Sequence, residues 1–394
     1  MRLLVLSFYY PPDLSAGSFR AASLVAALRE RAPPGSQVDV ITTSPNRYRT
    51  FSQSAPEIEE TEGVRIRRIR LPAHRSDMAG QSRAFLDFAR RACSNAAEAR
   101  YDLVLATSSR LLTAALGAWI ARRQRVPLYL DIRDIFVDTI SDVLGPVTGW
   151  PVRHVMSRLE SWTMRRADRI NLVSRGFEEY FRARYDDRSF SFFTNGIDDE
   201  FLTAAAAPST RSGTQGPVTV LYAGNIGEGQ GLHEILPGLA LALRSRARFL
   251  VIGDGGRRAA LEVALAAAGV TNVELRAPMP RARLLDAYRG ADVLFLHLGS
   301  HAALEKVLPS KLFEYAALGK PVLAGVAGYA ARFVREEITN ATVFSPCDVP
   351  QAVLAFDSLE IRDCPRPAFV AKYARTKIAR QMADDVLAVA CGRA

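Results

Sequence analysis

Residues 308–322 read Leu308-Pro-Ser-Lys-Leu-Phe-Glu-Tyr-Ala-Ala-Leu-Gly-Lys-Pro-Val322, and their punctuation dictates a helix that runs straight into a strand. Pro309 and Ser310 open helices, Gly319 closes them, and Pro321-Val322 enters an extended run, so the pattern predicts a helix over 310–318 and a strand over 321–324. In an open parallel sheet the amino end of such a helix points at the ligand crevice. Exposed amides there, with Lys311 in the first turn, make an anion site suited to a diphosphate. Glu314 follows Ser310 and Lys311 by one turn, shares their face, and can reach adjacent hydroxyls of a ribose. The same residues also fit a plain capped helix whose Lys and Glu are solvated.

Outward from this segment, short continuous apolar runs alternate with helical patterns along the chain. In the first half the runs are Leu3–Phe8, Val38–Thr43, Val64–Leu71, Leu103–Ser108, Leu128–Asp131 and Ile170–Ser174, with a helix from the Gly17-Ser18 turn to about Arg31. Continuous rather than alternating apolar strands indicate parallel sheets covered on both faces. From 198 to 217 the pattern lapses into Ala-Ala-Ala-Ala-Pro-Ser-Thr and Ser-Gly-Thr-Gln-Gly-Pro, a linker composition. It restarts with Val218–Tyr222, Phe249–Ile252, Val273–Leu275, Val293–Leu296, Pro321–Ala324 and Thr342–Phe344. Two doubly wound, Rossmann-like α/β domains facing across a cleft are therefore expected. The first covers 1–197, a linker 198–217, the second 218–366, and one C-terminal helix from Pro367 to Val389, within 367–394, packs back on the first domain.

Composition agrees with that reading. A chain of 394 residues with 48% hydrophobic and 23% charged residues excludes disordered, collagenous and disulfide-scaffold classes, and its length implies more than one core. The net charge of +10 is spread evenly over both halves, which argues against a nucleic-acid tail and favours anionic substrates or an anionic membrane surface. Of 51 basic residues only five are Lys, and Lys306, Lys311 and Lys320 fall within fifteen residues. Cys93, Cys347, Cys364 and Cys391 lie far apart and read as free thiols in a reducing cytoplasm. The apolar run after Arg2 stops at Pro11-Pro12-Asp13 and reads as a strand rather than a signal peptide; the longest apolar stretch, Leu111 to Ala121, is too short to cross a bilayer.

The segment 308–322, together with Gly224-Asn-Ile-Gly-Glu-Gly-Gln-Gly231 and Val251-Ile-Gly-Asp-Gly255, resembles the large retaining glycosyltransferase family of GT-B architecture, the family 4-like group of sucrose synthases and O-antigen enzymes. Tyr10-Pro-Pro-Asp-Leu-Ser-Ala-Gly17 looks like its acceptor-domain first loop, Asp131-Ile-Arg-Asp134 like an O-antigen Asp-x-Arg-Asp loop, and Asn195-Gly-Ile-Asp198 like its pre-linker motif. Within the family the glycine run and Leu-Pro-Ser-Lys-Leu-Phe-Glu-Tyr look closest to transferases of N-acetylfucosamine-type sugars. The resemblance implies metal-independent transfer, with retention, of a sugar from a UDP-sugar to a lipid-linked saccharide or lipopolysaccharide. The donor would be held by Gly224, Asn225, Gln230, Gly231, Leu308, Pro309, Ser310 and Glu314, the acceptor by Gly17, Ser18, Arg20 and Asp134, with no cofactor and no nucleic acid as partner. The implied location is cytoplasmic, with peripheral attachment at the inner face of the membrane. A nucleotide-sugar 2-epimerase of the same fold, or a non-catalytic nucleotide-sugar-binding subunit, remains open as an alternative.

Three departures from the family pattern bear on the chemistry. The first of two Glu usually spaced eight apart is Lys306 here, with Glu314 as the second. The diphosphate Arg and Lys, five apart, are Asn225 and Gln230, which leaves Lys306 and Lys311 to supply the charge. A His that meets the sugar's sixth hydroxyl in relatives is Asp131, so Lys306, Lys311 and Asp131 are the catalytic candidates. The five His show no H-x-x-H grouping, which argues against a catalytic metal. His297 and His301 read either as pocket lining or as ordinary loop histidines. Gly253-Asp-Gly-Gly256 lacks dinucleotide-loop spacing. The stretch Trp150–Arg169, with Trp162, Met156, Met164 and five Arg, fits either a membrane-facing helix or a core helix with a basic outer face.

Overall fold

The computed structural model describes all residues except 14, 47–53, 72–77, 109, 136, 138–145, 206–215 and 393–394. It divides into two compact units, one of Met1–Asn195 with Arg375–Ala394 and one of Gly196–Ala374. The mixed α/β architecture, with one largely parallel sheet per unit, is the GT-B pattern.

Unit 1 holds β1 (Arg2–Ser7), β2 (Gln37–Thr43), β3 (Ile58–Thr61), β4 (Val64–Ile69), β5 (Leu103–Ser108), β6 (Leu128–Ile132), β7 (Arg169–Leu172) and β8 (Phe190–Ser191). They lie in the order β3-β4-β2-β1-β5-β6-β7-β8. All pairings are parallel except β3 with β4. The first strand pairs with β2 on one side (Leu3 opposite Val38) and β5 on the other (Leu3 opposite Leu103), the reversal of winding at which such sheets place ligands. Leu3, Leu4, Val5 and Leu6 are fully buried, as a strand covered on both faces requires. The sequence pattern does not announce β3 and β8. The first is Ile-Glu-Glu-Thr on an edge, and the second has only two residues, so neither carries an apolar run.

Unit 2 holds β9 (Val218–Ala223), β10 (Ala247–Ile252), β11 (Val273–Arg276), β12 (Val293–His297), β13 (Val322–Gly325) and β14 (Ala341–Phe344), all parallel, in the order β11-β10-β9-β12-β13-β14. Its winding reverses between β9 and β12. The loop after β9 and the segment between β12 and β13 therefore both leave the carboxyl edge at that reversal, and they carry the glycine run and residues 308–322.

Two boundaries differ from the sequence expectation. Of the expected linker, Asp199–Ala205 is a helix, and 206–215 fall outside the described residues. The C-terminal helix is two helices, Pro367–Tyr373 and Arg375–Ala390, because Ala374 adopts extended ψ and bridges to Ile197. The chain changes unit at that break. Met382, Ala383 and Val386 pack with Leu24 and Leu28 of the helix Ala16–Arg31 in the core of unit 1. Phe369 and Tyr373 instead stack with Phe313 and Phe333 behind the helix Lys311–Ala317 of unit 2.

Candidate active site

In unit 2 the chain leaves β9 through Gly224, whose φ of +142° is accessible to glycine without strain. A Cβ there would lie 1.9 Å from Lys311 Nζ, so the bare backbone is what makes room for the ammonium. Lys311 Nζ donates to Tyr222 Oη at 3.2 Å and sits 4.4 Å from the centre of that ring. Tyr222 in turn donates to Asn225 O at 2.6 Å. Burial pushes the Lys311 ammonium down to about 8, opposed by nearby Glu314.

The helix at this position, Lys311–Ala317, has seven residues, and Ser310 is already helical and makes no side-chain cap bond. Two turns make a weak dipole, so Lys311 rather than the helix supplies most of the local positive charge. Leu308 is buried, Pro309 and Ser310 are part-buried, and Lys306 closes the 3-10 turn Ala302–Lys306. The far end of the helix is fixed by Arg366, whose guanidinium donates to Ala316 O (3.1 Å) and Lys320 O (3.0 Å).

Glu314 is 20% exposed, and Arg281 Nη2 lies 3.9 Å from its Oε1. Arg281 also hydrogen-bonds Asp198, pairs with Glu200 at 2.6 Å and covers the Phe201 ring at 5.2 Å. Sequence reasoning missed Arg281. It is one of many Arg, it opens a helix of its own (Arg281–Gly290), and only the fold brings it to Glu314.

Asn225 and Gln230 clasp each other, Asn225 Nδ2 donating to Gln230 Oε1 at 2.7 Å, and Gly227 N donates to the same oxygen at 3.1 Å. They stiffen the glycine run instead of bringing charge to it. Gly231, with φ of +56°, lets the chain turn into the helix Leu232–Ala242. His297 at the end of β12 is fully buried; Cys347 N donates to its Nε2 at 3.0 Å, so Nδ1 carries the proton and donates to Gln230 O at 2.7 Å. Burial lowers its imidazole to about 4. His297 thus ties the glycine loop to the 347 turn and has no ring nitrogen left for a ligand. Glu228, His233 and Glu234 bring three ligand-type atoms within 4.8 Å of one another, a grouping that a search for paired His does not register; Arg257 pairs with Glu228, and Cys347 Sγ donates to Glu234 at 3.2 Å.

Unit 1 carries the second set of candidates. Asp131, at the end of β6, is 0% exposed and accepts from Arg20 Nε (2.9 Å), Arg20 Nη2 (2.9 Å), Thr107 Oγ1 (2.9 Å) and Asn171 Nδ2 (2.7 Å). Burial alone would raise its carboxyl, but the Arg20 charge and these bonds outweigh it and hold it below the usual range. Arg20 also donates to Thr194 O and Phe193 O, both at 2.7 Å, and to Met382 Sδ at 3.3 Å. The sequence reading cast Asp131 as a catalytic candidate and Arg20 as an acceptor ligand. In the structure the two form a buried internal ion pair, with both Asp131 oxygens hydrogen-bonded. Gly17 packs on the Arg133 guanidinium, where a Cβ would meet Nη1 at 1.8 Å, and Ser18 is fully buried in the first helical turn. Burial raises the Asp134 carboxyl to about 6 and lowers Arg133 to about 10.

Two Rossmann-like α/β units in one chain are the architecture of the GT-B class. Family comparison completes the placement. Residues 17–189 match the glycosyl transferase 4-like domain and 210–377 the glycosyl transferases group 1 domain, so the chain belongs to the glycosyltransferases built from that pair. No curated protein matches the chain significantly. The fold is similar to that of α,α-trehalose 6-phosphate synthase from Burkholderia multivorans (15% identity, TM-score 0.71, 99% of this chain and 97% of that one). It is also similar to Anabaena HepE in complex with UDP-glucose (15%, 0.66, 98% and 99%) and to WaaG, a glycosyltransferase involved in lipopolysaccharide biosynthesis (16%, 0.65, 99% and 98%).

Proposed function

We propose that the chain transfers a sugar from a UDP-sugar to a lipid-linked saccharide or lipopolysaccharide, with retention at the anomeric carbon and without a metal. The observation that carries this reading is Lys311, seated on the bare backbone of Gly224 one turn from Glu314. Glu314 accepts hydrogen bonds from the ribose hydroxyls, and Lys311, joined by Lys306, offsets the charge that builds on the β-phosphate. The bond from the anomeric carbon to the phosphate oxygen breaks as the acceptor oxygen attacks the same face, and the acceptor proton passes to the departing phosphate. UDP-glucose in the HepE complex and the involvement of WaaG in lipopolysaccharide biosynthesis support the donor and acceptor classes.

A 6-deoxy N-acetylated hexose of the N-acetylfucosamine kind is the proposed donor sugar. Asp131 stands where relatives resembling this chain present a His to the sixth hydroxyl, and its closed bonding leaves no partner for one. No described helix is long and apolar enough to cross a membrane. Peripheral attachment is proposed through the helix Pro146–Arg166, where Val152 (38%) and Val155 (64%) are exposed beside Arg153 and Arg158; the Trp150 side chain falls outside the described residues. The test is to supply UDP-N-acetylfucosamine, UDP-N-acetylglucosamine and GDP-mannose with membrane extract and follow UDP or GDP release and glycolipid product. Acceptor-dependent UDP release from the first supports the reading. Sugar isomerisation without acceptor identifies an epimerase, and binding without turnover a carrier subunit.

A further inference from the structure

Among the described residues of unit 2 is a part-buried charged assembly that the proposed chemistry does not use directly: Asp198, Glu200 and Arg281 next to Glu314. Arg281 is 17% exposed and Asp198 14%, whereas Glu200 is 60% exposed. The guanidinium is pinned between the Asp198 carboxylate and the face of Phe201. Its Nη2, which also donates to Asp198 Oδ2, lies 3.9 Å from Glu314 Oε1, beyond a direct hydrogen bond but within reach of a charge interaction in a part-buried setting. Asp198 belongs to the Asn-Gly-Ile-Asp motif, next to Ile197, whose backbone is locked to Tyr373 O at 2.8 Å. Arg281 therefore stands on a fixed base.

We propose that Arg281, held by Asp198, is a positioning residue that sets the rotamer of Glu314, and so gives the site its preference for ribose over deoxyribose. A carboxylate on a mobile side chain can accept from one hydroxyl in many orientations. Accepting from two adjacent hydroxyls requires both oxygens at set positions, and a guanidinium anchored beside one carboxylate oxygen favours one orientation of it more than a flexible ammonium would. Tyr315 and Tyr288, packed edge to face at 5.4 Å, border the same helix turn and offer Glu314 no competing charge. Arg281 touches no reacting atom in this scheme and acts only through Glu314.

The inference rests on Glu314 holding the ribose, and the experiment separates the two ideas. UDP and 2′-deoxy-UDP are titrated calorimetrically into the wild-type chain, Glu314→Ala, Arg281→Lys, Arg281→Met and the double variant Arg281→Met with Glu314→Ala, with thermal melts to monitor folding. The expected result is a preference of the wild type for UDP of about tenfold. That preference disappears in Glu314→Ala, falls to near unity in both Arg281 variants, and falls no further in the double variant. Unchanged UDP affinity in Glu314→Ala overturns the ribose reading and this inference together. Loss of preference in Glu314→Ala with full preference kept in Arg281→Lys overturns the positioning role alone, as does an additive loss in the double variant. A purely structural Arg281 would weaken both nucleotides equally and leave their ratio intact. If Arg281→Met fails to fold, the ratio in Arg281→Lys decides.

Discussion

In unit 1 the carboxylate at the end of β6, Asp131, accepts four hydrogen bonds and is wholly buried; in unit 2 the ammonium that opens the helix Lys311–Ala317 has a tyrosine hydroxyl and the bare backbone of Gly224 beside it. Both lie at the carboxyl edge of a parallel sheet, where α/β proteins collect polar groups. What separates them is the chemistry of the neighbours. Around Asp131 stand Arg20, Thr107 and Asn171, each with a donor that fits, so the cluster closes on itself. Beside Lys311 lie the bare backbone of Gly224 and the Tyr222 ring instead, and the loop polar groups Asn225 and Gln230 bond each other. A polar cluster closed on itself holds a fold together, and a cation beside bare backbone is the one proposed here to meet a ligand.

The largest effect expected from this contrast is on stability. Asp131→Ala leaves Arg20 buried with its charge uncompensated, and chemical denaturation should show a loss of about 3–5 kcal/mol. A loss under 1 kcal/mol would mean that the cluster is not the closed one described. Next, Lys311→Ala should cut transfer about 10²–10³-fold in kcat at saturating donor, the size seen when one preorganised charge-stabilising group is lost. Unchanged kcat would move the charge stabilisation elsewhere, Lys306 being the next candidate.

His297 gives a pH signature. Its folded value near 4 lies below the ordinary 6.5, so between those values the unfolded chain binds a proton that the folded chain does not. Stability therefore falls as pH drops from about 6.5 toward 4, by a total on the order of 3 kcal/mol. In His297→Gln that part of the acid limb should flatten, and an unaltered limb would show that another group sets it. Glu314→Ala should weaken UDP binding by about 1.5–3 kcal/mol in calorimetry, the scale of hydrogen bonds to a charged group. The smallest effect concerns the helix Pro146–Arg166. Changing Arg153, Arg158 and Arg165 together to Glu should reduce binding to anionic vesicles by roughly fivefold per charge at low salt. Equal binding to neutral vesicles would assign that face to another contact.

The strands around β1 and β9 were legible because a strand buried on both faces has to be apolar throughout, a pattern readable one residue at a time. Edge strands such as β3 carry no such burden and left no trace. Lys311, Glu314 and Gly224 could be found because rare lysines, helix punctuation and glycine runs are local signals. Arg281 could not, since its meaning depends on Asp198 and Glu314, which lie 83 and 33 positions away. The surroundings of Asp131 were hidden for a related reason. A charged residue at a strand end is usual in ligand sites, and only the fold supplies Arg20 from 111 positions earlier to neutralise it.

The central claim is that Lys311, on the backbone of Gly224, binds the diphosphate of the donor. Calorimetric titration of UDP and of uridine into wild type and Lys311→Ala tests it most directly. The account predicts at least tenfold weaker UDP binding in the variant with uridine binding unchanged, and a wild-type UDP affinity that declines as pH rises past about 8, where Lys311 gives up its proton. Equal losses for UDP and uridine, or UDP binding indifferent to both the substitution and the pH, would contradict it.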